Sequence, residues 1–212
     1  MNDLLSNGGL RFKSVDMNNF SELGLINSTL EEINGWSQQH PEFMDNLNLS
    51  GLSKLGNIIR SQVFSGDEDL YFVFDDKQLV ATTLLMPSIK LFYPNELEKF
   101  ICTRSKNIPN QPKSIMTMDT AVKLLDNDGK NSCYIHYLVV NPETRGQGIG
   151  TEVIKTIEAD IDFFDHAATH KAIMAMIKNP NHRCINMFAN QGYESTYSSE
   201  DPDGYNMFYK AL

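Results

Sequence analysis

Leu138-Val139-Val140-Asn141-Pro142-Glu143-Thr144-Arg145-Gly146-Gln147-Gly148-Ile149-Gly150 joins two opposite kinds of sequence. Before it, residues 133–140 (CYIHYLVV) form an apolar run of β-branched and aromatic residues that reads as a strand. Asn141 and Pro142 cannot extend that strand, and glycines at 146, 148 and 150 follow. After it, Ile149, Val153, Ile154, Ile157, Ile161 and Phe164 recur at the spacing of one helix face, which predicts a helix over 151–164. Residues 171–177 (KAIMAMI) are apolar on both faces and read as a central parallel strand. The whole is a β-α-β unit, whose crossover is expected to be right-handed.

A strand that feeds a glycine-rich turn opening a helix is physically suited to hold an anion. The first amides of the helix lack intrahelical acceptors, and the helix dipole adds partial positive charge. Gly146, Gly148 and Gly150 let a diphosphate approach the backbone, and Arg145 adds a charged donor. A tight turn needed only for packing would use the same glycines, so the glycines alone leave both readings open. Two familiar phosphate motifs do not fit. Gly150-Thr151-Glu152 lacks the lysine of the Walker loop, and the spacing here is G-x-G-x-G, not the dinucleotide G-x-G-x-x-G. The following strand also ends in Ile177-Lys178 where a dinucleotide site needs an acidic ribose ligand.

Further along, Asn181 is placed to cap a helix running to Gln191, and Gly192 to stop it in the left-handed conformation. Residues 205–211 close the chain as a last strand. Towards the N-terminus, residues 10–15 alternate as a strand behind a Gly8-Gly9 turn. A helix is expected over 28–38, with Ser28 as its cap and Glu31 completing a capping box. A second helix is expected over 50–64, and a hairpin from 70–74 and 78–86. Residues 88–130, polar and broken by Pro109 and Pro112, read as an insertion.

The 212 residues suffice for one sizeable core, so 1–212 is expected to be a single domain. Its 1–130 half would carry the N-terminal helices and the insertion, and 131–212 the half with the β-α-β unit and its glycine turn. A formal charge of −9 disfavours nucleic acid, which is bound mainly through cationic contacts, and suits a cationic substrate. No apolar run approaches the ~20 residues of a membrane span, and the N-terminus has no signal-like core, so a cytoplasmic protein without membrane contact is expected. Three widely spaced cysteines and five scattered histidines show no ligand spacing, and no metal is expected.

The run VVNPETRGQGIG followed by an amphipathic helix resembles the acyl-CoA-binding motif of the GNAT N-acetyltransferase superfamily. That motif is Arg or Gln, two residues, Gly, one residue, then Gly or Ala, which Arg145, Gly148 and Gly150 fill. Residues 181–193 (NHRCINMFANQGY) are similar to the family's second signature. The resemblance covers 133–212, while the N-terminal half agrees only in its order of elements. It implies an α/β (α+β) fold: a mixed, mostly antiparallel twisted sheet with a central parallel β-α-β acyl-CoA-binding unit flanked by helices.

It further implies an enzyme that transfers an acetyl group directly from acetyl-CoA to a primary amine of a small molecule or peptide, in a ternary complex. The homodimer is one assembly open to it. The amides of Gln147, Gly148, Ile149, Gly150 and Thr151, with Arg145 and Gly146, would hold the diphosphate. Leu138, Val139 and Val140 would line the pantetheine, with the amide of Val139 or Val140 polarising the thioester, and Asn181 and Phe188 would lie beside it.

His136, an imidazole on the motif strand, is the candidate base. Tyr134 stands where some members carry a catalytic glutamate. Phe188 stands where many carry an acidic tyrosine, which leaves Tyr193, Tyr205 and Tyr209 as alternative donors. The same departure also admits a second class, a GNAT-fold module that binds or senses acyl-CoA without turnover.

Overall fold

The computed structural model describes residues 3–16, 19, 22–39, 69–86, 132–164, 172–178, 181–196 and 205–212. Its strands are β1 (Asp3–Leu5), β2 (Arg11–Val15), β3 (Asp69–Asp75), β4 (Gln78–Met86), β5 (Ser132–Val140), β6 (Ala172–Lys178), β7 (Glu194–Thr196) and β8 (Tyr205–Ala211). Its helices are α1 (Leu23–Gln39), α2 (Ile149–Ala159), α3 (Ile161–Phe164) and α4 (His182–Asn190). The strand order is β1-β2-β3-β4-β5-β6-β8-β7. β5 and β6 are parallel, while the pairs β1–β2, β2–β3, β3–β4, β6–β8 and β7–β8 are antiparallel. The fold is therefore α/β with a mixed, mostly antiparallel sheet, as expected.

The chain divides into two compact units, one within Met1–Met86 and His136–Phe164, the other within Pro87–Ile135 and Asp165–Leu212. In the first unit, α1 supplies Ile26, Leu30, Ile33 and Trp36 to a core shared with Leu70, Phe72, Leu84, Tyr137 and Val139. The spacing 26, 30, 33 puts these side chains on one helix face. A second aromatic cluster holds α3: Phe164 meets Phe12 edge-on at 5.5 Å and Tyr71 at 4.9 Å. In the second unit, Ala175 lies between Ile135 and Phe208 in register, and Phe188 of α4 packs 5.6 Å from Phe208.

Three sequence expectations are corrected. α1 begins at Leu23, five residues before Ser28. Ser28 is thus inside the helix, with its hydroxyl donating to the Leu25 carbonyl at 2.9 Å instead of capping. The helix expected over 151–164 is two helices, because Asp160 (φ −119°, ψ 37°) leaves helical geometry between α2 and α3. β1 and β7, three residues each, are additions that the sequence pattern does not predict. The helix over 50–64 and the insertion 88–130 lie outside the described residues. No helix among the described residues is long and apolar enough to cross a membrane.

Candidate functional site

β5 delivers the motif. Tyr137 and Val139 are buried against α1, while His136, Leu138 and Val140 alternate with them and are half-buried. The His136 ring stacks on that of Tyr137 at 4.2 Å. The Thr83 hydroxyl donates to the Tyr137 carbonyl at 3.0 Å, tying β5 to β4.

Asn141 ends the strand and organises the turn. The β3–β4 register passes from Val73↔Ala81 to Phe74↔Leu79, so Val80 is an extra residue, a β-bulge. Asn141 uses that bulge: its amide donates to the Val80 carbonyl at 2.8 Å and its Nδ2 to the Leu79 carbonyl at 3.1 Å. Its Oδ1 accepts from the Glu143 amide at 3.0 Å, and its carbonyl accepts from both the amide and the hydroxyl of Thr144. Pro142 then opens a single 3-10 turn, Pro142–Thr144, after which Arg145 is extended (φ −61°, ψ 144°). The sequence shows Asn141 only as a strand breaker. Its role as the pin of the turn is visible only once β4 lies beside it.

The turn enters α2 through two left-handed glycines, Gly146 (φ 83°) and Gly148 (φ 84°). A Cβ on either would meet no atom within 4 Å, so conformation and not crowding demands glycine there. Gly148 is the N-cap of α2, and no side chain caps it. The first intrahelical bond is Glu152 amide to Gly148 carbonyl, 3.0 Å, so the amides of Ile149, Gly150 and Thr151 precede any intrahelical acceptor. Gln147 differs from these, because its amide turns back to the Thr144 carbonyl at 3.4 Å. Ile149, Val153, Ile154 and Ile157 anchor the helix by their burial, and Arg145 is the cation within the turn. Three amides without intrahelical acceptors and the helix dipole are chemically suited to an anion, and Arg145 is the cation that precedes them in sequence.

One partner of this helix escaped sequence reading. The Gly8 amide, in the β1–β2 turn, donates to Glu152 Oε1 at 2.9 Å across 144 residues of chain. The carboxylate at the first turn of α2 is thereby engaged sideways.

The remaining candidates lie in the second unit. Tyr134 is buried, paired in register with Met174. Asn181 caps α4, its Oδ1 accepting from the Cys184 amide at 3.3 Å, and Gly192 (φ 84°) follows the helix end, both as expected. Phe188 is buried between Tyr193 (4.8 Å) and Phe208 (5.6 Å). Burial, and then the Glu194 carboxylate, raise the Tyr209 phenol above its ordinary pKa. The β5–β6 register stops at Ile135↔Ala175, whereas β6 stays paired with β8 as far as Lys178↔Tyr205.

The chain is similar in fold to an acetyltransferase of Thermus thermophilus (TM-score 0.58, 12% identity, 100% of both chains). It is likewise similar to RimL, a ribosomal L7/L12 alpha-N-protein acetyltransferase in complex with coenzyme A (TM-score 0.54, 10% identity, 100% of this chain and 98% of that one). A third likeness is to the Vibrio cholerae spermidine/spermine N-acetyltransferase SpeG (TM-score 0.53, 10% identity, 97% and 95%). No curated relative matches in sequence. The sequence profile described as the acetyltransferase (GNAT) family matches residues 43–193, which includes β5, the Arg145–Gly150 turn, α2 and α4. Most of the chain and its whole glycine turn are thus accounted for by one family: this protein is a member of the GNAT acetyltransferases.

Proposed function

We propose that this enzyme transfers an acetyl group from acetyl-CoA to a primary amine of a small molecule or peptide, by direct attack in a ternary complex. The family draws on acyl-CoA, and acetyl-CoA is the donor proposed here. The observation that carries the reading is the uncapped start of α2, reached through left-handed Gly146 and Gly148 beside Arg145.

In this reading, the amides of Gly148 to Thr151 and the Arg145 guanidinium hold the donor's diphosphate, with Gln147 contributing once its long bond to Thr144 yields. Leu138, Val139 and Val140 line the pantetheine arm. The amide of Val139 or Val140 polarises the thioester carbonyl, a contribution worth about 2.7–4 kcal/mol where such donors have been removed from other enzymes. Asn181 and Phe188 are proposed as further donor-binding residues, as the family resemblance implies.

The amine must lose a proton before it attacks. For a lysine-like group near pKa ~10.4, neutrality at pH 7 costs about 4.6 kcal/mol. His136, half-buried on the motif strand, takes that proton directly or through water. The amine nitrogen then bonds to the carbonyl carbon, the carbon–sulfur bond breaks with the sulfur leaving as thiolate, and the new amide nitrogen sheds its second proton to solvent. Phe188 has no proton to give, so the thiolate is protonated by solvent or by the proton that His136 received. Tyr134, buried on the same strand at the position of the family's glutamate, is the second catalytic candidate.

The test is thiol release from acetyl-CoA across a panel of amines, with the acetylated amine identified by mass. Expected is equimolar thiol and acetyl-amine, with His136→Ala lowering kcat and flattening its pH profile. The buried Phe188 is what favours the second reading, a module that binds acyl-CoA without turnover. A wild type that binds acetyl-CoA yet releases no thiol with any amine would decide for it.

A further inference from the structure

Asn206 is the second residue of β8 and is 1% exposed. Neither its Nδ2 nor its Oδ1 has a hydrogen-bond partner among the described residues. Folded proteins seldom keep such a group, because burial removes its water and nothing replaces it. A carboxamide offers two donors and an acceptor, so two kinds of bond are left unmade at one residue.

Its surroundings argue against a purely structural role. Asn206 lies directly across from Ile177, and alternation places it on the same face as Phe208, which packs against Phe188 of α4. Among the described residues, its neighbours on that face, Ile177 and Phe208, are apolar. A leucine there would fit the pattern of its row better than an asparagine does. The position along the sheet is also particular. β6 keeps β5 as a partner only as far as Ala175, and Asn206 sits beside Ile177, in the part of β6 that runs beyond that last pair.

We propose that Asn206 is a donor-positioning residue whose carboxamide pairs with an amide of the pantetheine arm of acyl-CoA. The proposal rests on the acyl-CoA reading above. A secondary amide is the complement of a carboxamide, since each offers one N–H and one C=O to the other. A phosphate offers only acceptors and an ammonium only donors, so either would leave half of Asn206 unmade. Pantetheine carries two secondary amides on a narrow chain that can enter where a bulky group cannot. Among the described residues the carboxamide's bonds are unmade, and donor binding makes them.

The experiment compares wild type with Asn206→Leu and Asn206→Ala, each titrated with coenzyme A and with adenosine 3′,5′-bisphosphate, which lacks the pantetheine arm. The ligand-free melting temperature is measured alongside. Expected is a ligand-free Asn206→Leu that melts at or above wild type, binds coenzyme A about tenfold more weakly, and binds the bisphosphate unchanged. Asn206→Ala leaves a cavity and melts lower, yet shows the same split between the two ligands, which keeps the test alive if the leucine does not fit. Equal affinity of wild type and both variants for coenzyme A would overturn the proposal. So would a loss of affinity for both ligands alike in the folded variants, because the carboxamide would then be structural. A wild type that binds neither ligand would remove the acyl-CoA reading itself, and this proposal with it.

Discussion

The Gly8 amide and the Glu152 carboxylate meet at 2.9 Å, joining the first turn of the chain to the first turn of α2. A Cβ on Gly8 would overlap that carboxylate, so the contact requires glycine by space. Gly8→Ala is expected to destabilise the protein by about 1 kcal/mol, the common size of a point-mutation effect. Because the obstruction is Glu152 itself, the double variant Gly8→Ala/Glu152→Ala should be more stable than the sum of the two single effects predicts. Urea denaturation of the four proteins measures this coupling, and strict additivity would contradict the contact.

Asn141 makes bonds to Leu79, Val80, Glu143 and Thr144 while 5% exposed. Asn141→Ala keeps the backbone bonds but removes both side-chain bonds and leaves the Leu79 carbonyl and Glu143 amide without them. The expected cost is about 2–4 kcal/mol, read from chemical denaturation. Since Asn141 sets the course of the turn, donor affinity should fall in the same variant even at temperatures where it is fully folded.

Gly148 sits at φ 84° with open space where a Cβ would go. Gly148→Ala should therefore cost about 1–2 kcal/mol through backbone strain alone. Gly148→Asn should cost less, because asparagine tolerates the left-handed region better. Thermal melts of the two variants check the order, and equal losses would point to crowding in place of strain.

Tyr209 holds its proton more tightly in the folded chain, first through burial and then through the Glu194 carboxylate facing it in register. A raised folded pKa contributes stability that is complete below the unfolded value, near 10, and is lost as pH rises through the folded one. Wild type should thus lose melting temperature between roughly pH 9 and 11 more steeply than Tyr209→Phe. Glu194→Gln should soften the slope less than Tyr209→Phe does, since burial remains the larger cause. Identical slopes for all three proteins would contradict the pairing.

The middle of the motif was legible because its physics is local. Left-handed glycines, a strand-breaking Asn-Pro and a periodic apolar face each leave a mark within a few residues, and β5, the turn, α2, β6 and the Asn181 cap follow from them. Local marks also mislead. Ser28 and Glu31 satisfy a capping box, yet the same spacing fits a helix interior, and the burial of Ile26 starts α1 earlier. The break at Asp160 is hidden because Ile157 and Ile161 keep the apolar stripe across it. β1 and β7 are too short for alternation to be read. Long-range pairs such as Gly8 with Glu152 and Asn141 with the Val80 bulge have no sequence signature, and Asn206 reads only as a polar residue in a strand until its burial is known.

On the proposed reading, the turn from Arg145 to Thr151 holds the diphosphate of acetyl-CoA. Calorimetric titration of acetyl-CoA into wild type, Arg145→Ala and Gly148→Glu tests it most directly. Expected is saturable one-site binding by wild type, weakened about tenfold or more by Arg145→Ala, and lost in Gly148→Glu, where a carboxylate meets the uncapped amides. A well-folded wild type that takes up no acetyl-CoA, or variants that bind it as wild type does, would contradict the account.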